Sequence, residues 1–239
     1  MKQFFIILIF FLTITVGSVH GQDTLIKTKY LSLGTRSSGI CFGNSIKYDG
    51  IRLNLWDKEF ERENSSGRIN GINISFRISN NVSNGVEFGI LSANSEKVSN
   101  GIQLSVIAAT SNKVNGIALG LLGVHSNKIN GTAIGGFYGV NADTLNGMFF
   151  GISGVGSSDK RTPNKIINGF AMGLLVVGAE QVNGMSCALA HCYSKQQNGI
   201  SIAIYNRTEN LHGLQLGLLN YARNNPKLIK WMPIMNFHR

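Results

Sequence analysis

Nucleophilic catalysis needs a serine or cysteine held beside a base, so the five histidines and three cysteines are the first residues to weigh. His20, His125, His191, His212 and His238 fall at unrelated phases of a repeat described below, so stacking would not align them with one another. His191 lies near the end of an apolar column, where a packed or edge histidine is expected rather than a base. Cys41, Cys187 and Cys192 have no C-x-x-C spacing, which argues against a metal or redox pair. Cys187 and Cys192 each occupy a slot filled elsewhere by Leu, Ile or Val and are expected as small buried apolar residues. A disulfide involving either one stays open at this point.

Glycoside chemistry asks for two carboxylates roughly 5 to 9 Å apart. Glu87 and Glu96 flank one repeat, but Glu87 has no acidic counterpart at its position in the adjacent ones. No H-E-x-x-H or EF-hand pattern occurs, and no glycine-rich run ends in Gly-Lys-Ser/Thr as a phosphate loop would. The N-x-S/T sequons at Asn64, Asn73, Asn81 and Asn206 fall within the level that abundant asparagine produces by chance. The expectation is no catalytic, cofactor-binding or metal-binding residues, and no enzyme.

What must position any working residue is a repeat. Eleven glycines, Gly50, Gly71, Gly85, Gly101, Gly116, Gly131, Gly147, Gly169, Gly184, Gly199 and Gly213, each open an apolar run. The intervals between them are 21, 14, 16, 15, 15, 16, 22, 15, 15 and 14 residues. Asn precedes the glycine in nine of the eleven; Asp49 and His212 are the exceptions. A fixed short period of this kind signals stacked or arrayed units.

After each glycine the chain alternates. One face carries Ile72, Ile74 and Phe76, then Ile117, Leu119 and Leu121 in a later unit, and the other carries Gly, Ala or Ser at its centre in ten of the eleven units. Period two means a strand with one face buried, and the aliphatic face is the one expected inside. Two further apolar columns follow, one through Val124, Val155, Val177 and Cys192, the other through Ile69, Val114, Ile129 and Leu145.

The pattern predicts an all-β chain: a β-solenoid of about eleven coils of ~15 residues with a non-repeat C-terminal cap. Every unit resembles its immediate neighbour, the small column recurs throughout, and no aromatic girdles flank the runs. The competing architecture is an up-and-down outer-membrane barrel of about twelve strands with the aliphatic face toward lipid.

The two long intervals hold insertions, charged at 57–68 and basic at 156–165, which a solenoid accommodates at its turns. Residues 22–48 are expected to start the stack, 49–221 to form the repeat domain and 222–239 to plug its raw end. Residues 1–21 read as an export signal, with Lys2, an apolar run from Phe4 to Val16, and a cut ahead of Gln22. Without Lys2 the 22 basic residues become 21 against 12 acidic, a formal charge of +9. The basic residues are scattered through turns rather than clustered with aromatics, so nucleic acid is not an expected partner.

The segments "NGIALGLLGV" and "HGLQLGLLNYARNNPKLIKWMPIMNF" resemble the repeats and C-termini of bacterial surface-repeat proteins, first noticed in spirochaete genomes and common in Bacteroidota. The resemblance spans about residues 50 to 237 and implies export and surface display, at the cell surface or in the outer membrane or periplasm, with no activity attached. The expected function is a non-enzymatic repeat scaffold for binding or self-association at the cell envelope. The expected contacts are the small Gly/Ala/Ser face, approached by another sheet, and the two charged loops. An anionic envelope component is a second expected partner, and membrane association a third.

Overall fold

The computed structural model describes residues 14–16, 30–35, 37–57, 67–156 and 165–239. Most of the expected export signal, the bodies of both insertions and Asn64 lie outside the described residues.

The chain is a β-solenoid of about eleven turns, not a barrel. Its strands are β1 (Ile14–Val16), β2 (Tyr30–Gly34), β3 (Ser38–Gly43), β4 (Lys47–Trp56), β5 (Arg68–Ser105), β6 (Ala108–Gly120) and β7 (Gly123–Gly135). They continue with β8 (Gly139–Gly151), β9 (Gly154–Gly156), β10 (Ile166–Gly173), β11 (Val176–Ala188), β12 (His191–Ile202), β13 (Tyr205–Ala222) and β14 (Trp231–His238), with a 3₁₀ turn at Lys227–Ile229. From β3 to β13 neighbouring strands pair parallel and glycine lies on glycine: Gly50 beside Gly71, Gly116 beside Gly131, Gly199 beside Gly213. Like therefore stacks on like. The register carries through both insertions, because Gly147 pairs with Gly169 across the second.

Each coil has two strand segments. One runs from the Asn-Gly corner through the alternating run; the other returns to the next corner. The corner itself is fixed by glycine. All eleven corner glycines have φ between +114° and +139°. A Cβ on any of them would meet the carbonyl oxygen of the preceding corner glycine at 1.9–2.3 Å. Beside them the asparagine amides form a ladder. Asn84 donates to Asn70, Asn100 to Asn84, Asn115 to Asn100, and so on to Asn198, at 2.6–2.8 Å. In-register stacking turns a residue that is neutral or unfavourable in a lone strand into a continuous hydrogen-bonded column.

The interior is not the one the alternation predicts. Inside are the second and fourth residues after the corner glycine: Ala118 and Gly120, Ala133 and Gly135, Ser186 and Ala188. The return strand contributes Val124, Val140, Val155 and Val177, and the residue two before the corner contributes Ile69, Val114, Ile129, Leu145 and Leu211, all buried. Those two columns are where the sequence places them. The aliphatic face, expected inside, points outward instead. The reason is the narrowness of the coil. A Cβ at Gly120 would lie 2.1 Å from the Gly123 carbonyl oxygen, and one at Gly151 2.1 Å from that of Gly154. The two segments approach so closely at this end that the position holds Gly, Ala or Ser in ten coils and Asn54 in the other, and a leucine does not fit.

Both ends depart from the parallel stack. At one end β2 runs antiparallel to β3, with β1 antiparallel beyond it. The first parallel coil opens at Gly39, which pairs with Gly50. At the other end β14 runs antiparallel along β13, from Gly213–His238 to Tyr221–Trp231.

Candidate functional site

Apart from buried Gly136, the positions one, three and five residues after each corner glycine face outward, and they hold no charged residue in any of the eleven coils. Ile117, Ile134 and Leu121 are 40%, 46% and 60% exposed. These values are intermediate because each side chain lies against its equivalents in the coils above and below, at the ~4.8 Å strand spacing. The end strands prolong the same face. Ile40 and Phe42 on β3 precede it; Phe237 and Met235 on β14, paired with Leu214 and Leu216, follow it. The result is one apolar sheet face running the length of the stack.

The return strands present the opposite character. His125, Asn127 and Lys128 point outward in one coil, and Lys195 and Arg207 in later ones. Lys195 pairs with Glu180 one coil away, which raises the lysine's pKa through that hydrogen bond and charge. The molecule is thus a slab with an aliphatic face and a polar face, and the narrow core between them.

Polar groups replace apolar ones inside the first coils. The second position after the glycine holds Arg52, Asn73, Glu87 and Gln103, all fully buried. Arg52 donates Nε to Asn73 Oδ1 at 2.9 Å, Nη1 to the Ser45 carbonyl at 2.8 Å and Nη2 to Asp57 Oδ2 at 2.5 Å. Asp57 also accepts from the Ser79 N–H at 3.0 Å and from Asn54 Nδ2. Asn80 Nδ2 donates to Glu87 Oε1 at 2.6 Å, and Ser95 Oγ lies 2.9 Å from both Glu87 Oε2 and Asn80 Oδ1. Burial pushes the Glu87 carboxyl above its usual range, against the lowering effect of those hydrogen bonds and of the Arg52 charge. This polar interior was not singled out as a column in the sequence. Arg52 and Glu87 at equivalent positions, with Asn73 between them, were the signal for it.

Among the described residues weighed for chemistry, His212 and His238 meet edge to face with ring centroids 6.1 Å apart; the others do not converge. Glu87 is enclosed in the core, while Glu96 is part-exposed on the return side. His191 stacks on Tyr205 with ring centroids 4.8 Å apart, and burial and then Arg207 lower its pKa. All three cysteines are free. Cys41 and Cys192 are buried, and burial pushes the Cys192 thiol up to about 12. Cys187 is not the buried residue its slot suggested. It sits third after Gly184, in an aliphatic column that faces outward, and is part-exposed. Asn73, Asn81 and Asn206 are buried, so these sequons offer no accessible acceptor. Among the described residues no three His, Cys, Asp or Glu side chains gather as a metal-ligand set.

Where the insertions join the stack, their charged ends turn inward: Asp57 is bonded to Arg52, and buried Lys165 donates to Asn141 Oδ1 at 2.7 Å. Beside the C-terminal cap the rings of His191, Tyr205 and Trp231 follow one another along an edge of the slab, with Tyr221 against Trp231 at 4.6 Å. The sequence shows these aromatics singly; only the stacking of coils brings them together.

No family model matches this sequence, and neither the curated proteins nor the solved structures hold a match to it.

Proposed function

We propose that the chain is an exported, non-enzymatic surface protein, a repeat scaffold for binding or self-association at the cell envelope. The observation that carries this reading is the uncharged aliphatic face, which points outward because the two segments of the coil close too tightly at the fourth position to take it in. Monomeric soluble proteins rarely expose contiguous apolar patches beyond about 300–600 Å², and larger ones mark interaction surfaces. The contact surface is therefore the aliphatic face and not the small-residue face, which is internal. The "MKQFFIILIFFLTITVGSVHGQ" leader supports export, and the resemblance of the repeats and tail to bacterial surface-repeat proteins supports display.

Fractionation of the tagged chain, expressed in a diderm bacterium, into cytoplasmic, soluble exported, peripheral and integral pools tests the reading. Recovery in the exported or peripheral pool with Gln22 as the new N-terminus is the expected result. Retention of the full-length chain in the cytoplasm overturns it.

A further inference from the structure

We propose that the aliphatic face is the interface of a closed face-to-face homodimer, with the side chains beside Ile117, Ile134, Phe150 and Met172 of one copy packed against those of a second.

Area is the first argument. Eleven glycine-indexed coils and the strands that extend them at each end, spaced ~4.8 Å apart, make a face roughly 60 Å long. Three outward residues at ~3.3 Å per position give a width of roughly 15 Å, so the face covers on the order of 900 Å². A specific, stable interface buries about 800 Å² on each partner. One copy of this face supplies that area, and a second copy matches it in length and width.

Chemistry is the second argument. Among the outward positions the face carries no charge, and its only polar groups are the Thr132 hydroxyl and the weakly polar Cys187 thiol. A two-fold axis pairs such a surface with itself without desolvating a charge. Columns of Ile, Leu, Met and Phe leave furrows between them, and sheets packed face to face interdigitate at ~10 Å.

Charge placement is the third argument, and it separates a second copy from a bilayer. Surface-bound amphipathic structures set basic residues beside their apolar side, where they meet anionic headgroups. Here Lys97, Lys113, Lys128 and Lys195 lie on the return strands, across the slab from the aliphatic columns. Closing two copies face to face puts these like charges as far apart as the slabs allow. Laying the same face on a membrane points them into bulk water.

Closure follows from the ends. Both terminal strands, β1 and β14, pair antiparallel with their neighbours and stop the parallel stack. Pro233 and the φ of +68° at Ile234 interrupt the free edge of β14. Association through the faces therefore ends at two copies and does not propagate along the stack.

The test uses the purified full chain in detergent-free buffer. Sedimentation is expected to give twice the mass of the single chain, 25.9 kDa with residues 1–21 retained. The variant Leu119→Lys/Phe150→Lys, which changes outward side chains only, is expected to sediment at the single-chain mass with unchanged strand content. Asn127→Lys on the polar face is the control and is expected to stay dimeric. Cys187 supplies a readout that needs no variant. Its maleimide labelling in the native protein is expected to speed up about tenfold on dilution below the dimer dissociation range, following the monomer fraction. Buried Cys41 and Cys192 stay unlabelled throughout.

A native chain of single mass overturns the proposal, as does a native chain that grows into assemblies of indefinite size. So does Cys187 labelling that is independent of concentration, or flotation of a monomer with phosphatidylcholine vesicles. The inference rests on the scaffold reading only for the purpose the dimer serves. Failure of dimerisation leaves the export result untouched, and cytoplasmic retention of a dimer overturns export alone.

Discussion

At the scale of single residues, the unusual group is Glu87. Ser95 has one hydroxyl proton and two neighbours within 2.9 Å, Asn80 Oδ1 and Glu87 Oε2. Both neighbours are acceptors if the carboxyl is ionised, and one contact is then repulsive. Both are satisfied if Glu87 is protonated, donates to Ser95 Oγ and lets Ser95 donate onward to Asn80. The raised pKa agrees with this arrangement. The consequence for stability has a definite sign. The folded chain keeps a proton that the unfolded chain releases near the ordinary value of 4.5. Glu87 therefore contributes fully below that value and loses its contribution as pH rises through the higher, folded pKa. Urea melts of the native chain and of Glu87→Gln across this range are expected to diverge, the native chain falling behind the amide variant as pH rises. Parallel curves at all pH values would show that Glu87 is ionised in the fold. Two coils before, the Arg52–Asp57 pair is fully buried. Arg52→Ala leaves a buried carboxylate without its counter-charge and is expected to cost about 3–5 kcal/mol in the same melts. A loss below about 1 kcal/mol, the level of a surface pair, would mean that water reaches Asp57.

At the scale of the coil, the repeat was fully legible in the sequence and the sense of its faces was not. Period two divides a strand into two faces without saying which one is inside. Hydrophobicity alone favours the aliphatic face, and here that preference loses to width. The signal lay in the other column: Gly89, Gly120, Gly135, Gly151, Gly173 and Gly217 alternate only with Ala, Ser or Asn. A column that never admits a large residue in eleven coils marks the tightest place in a fold, not its most open surface. The stacking of the Asn-Gly corners, by contrast, followed from their spacing, and β5 to β13 keep it in register. Gly116→Ala, a change that gains roughly 0.5–1 kcal/mol in an ordinary strand, is expected here to destabilise by more than about 1 kcal/mol, because φ is +133° and the new methyl would meet the Gly101 oxygen at 2.1 Å. Asn130→Ala removes one donor and one acceptor from the ladder, its bonds to Asn115 and Asn146. At about 1 kcal/mol per bond the expected loss is about 2 kcal/mol in thermal or urea unfolding. If Asn130→Ala is neutral while Gly116→Ala is not, backbone shape holds the corner and the amide column is incidental.

At the scale of the whole molecule, a parallel stack has a problem that its interior cannot solve. Every coil satisfies its backbone groups on its neighbours, so the last coil offers a row of unpaired N–H and C=O groups to any other strand. The chain leaves its period after Ala222 to deal with this. A turn anchored by Asn225, which donates to Asn236 Oδ1 at 2.7 Å, sends β14 back antiparallel over β13. Asn220 Nδ2 donates to the Met232 carbonyl at 3.2 Å, and Trp231 stacks on Tyr205. The cap thus covers an edge and also supplies Phe237 and Met235 to the aliphatic face. Truncation after Arg223 separates these roles from the stability of the stack. With ten corner-to-corner junctions still in place, the coils are expected to keep their strand content. The bared edge of β13 is parallel-competent, free of proline and flanked by part-exposed Leu214 and Leu216 and by exposed Leu218. The truncated chain is therefore expected to assemble end to end, with sedimenting mass that rises with concentration, while the intact chain reaches a fixed mass. Adding the β14 segment as a peptide, Trp231–His238, is expected to arrest that growth by occupying the edge. If the truncated chain instead holds one fixed mass, the end of the stack is closed by β13 itself, and β14 serves only to lengthen the apolar face.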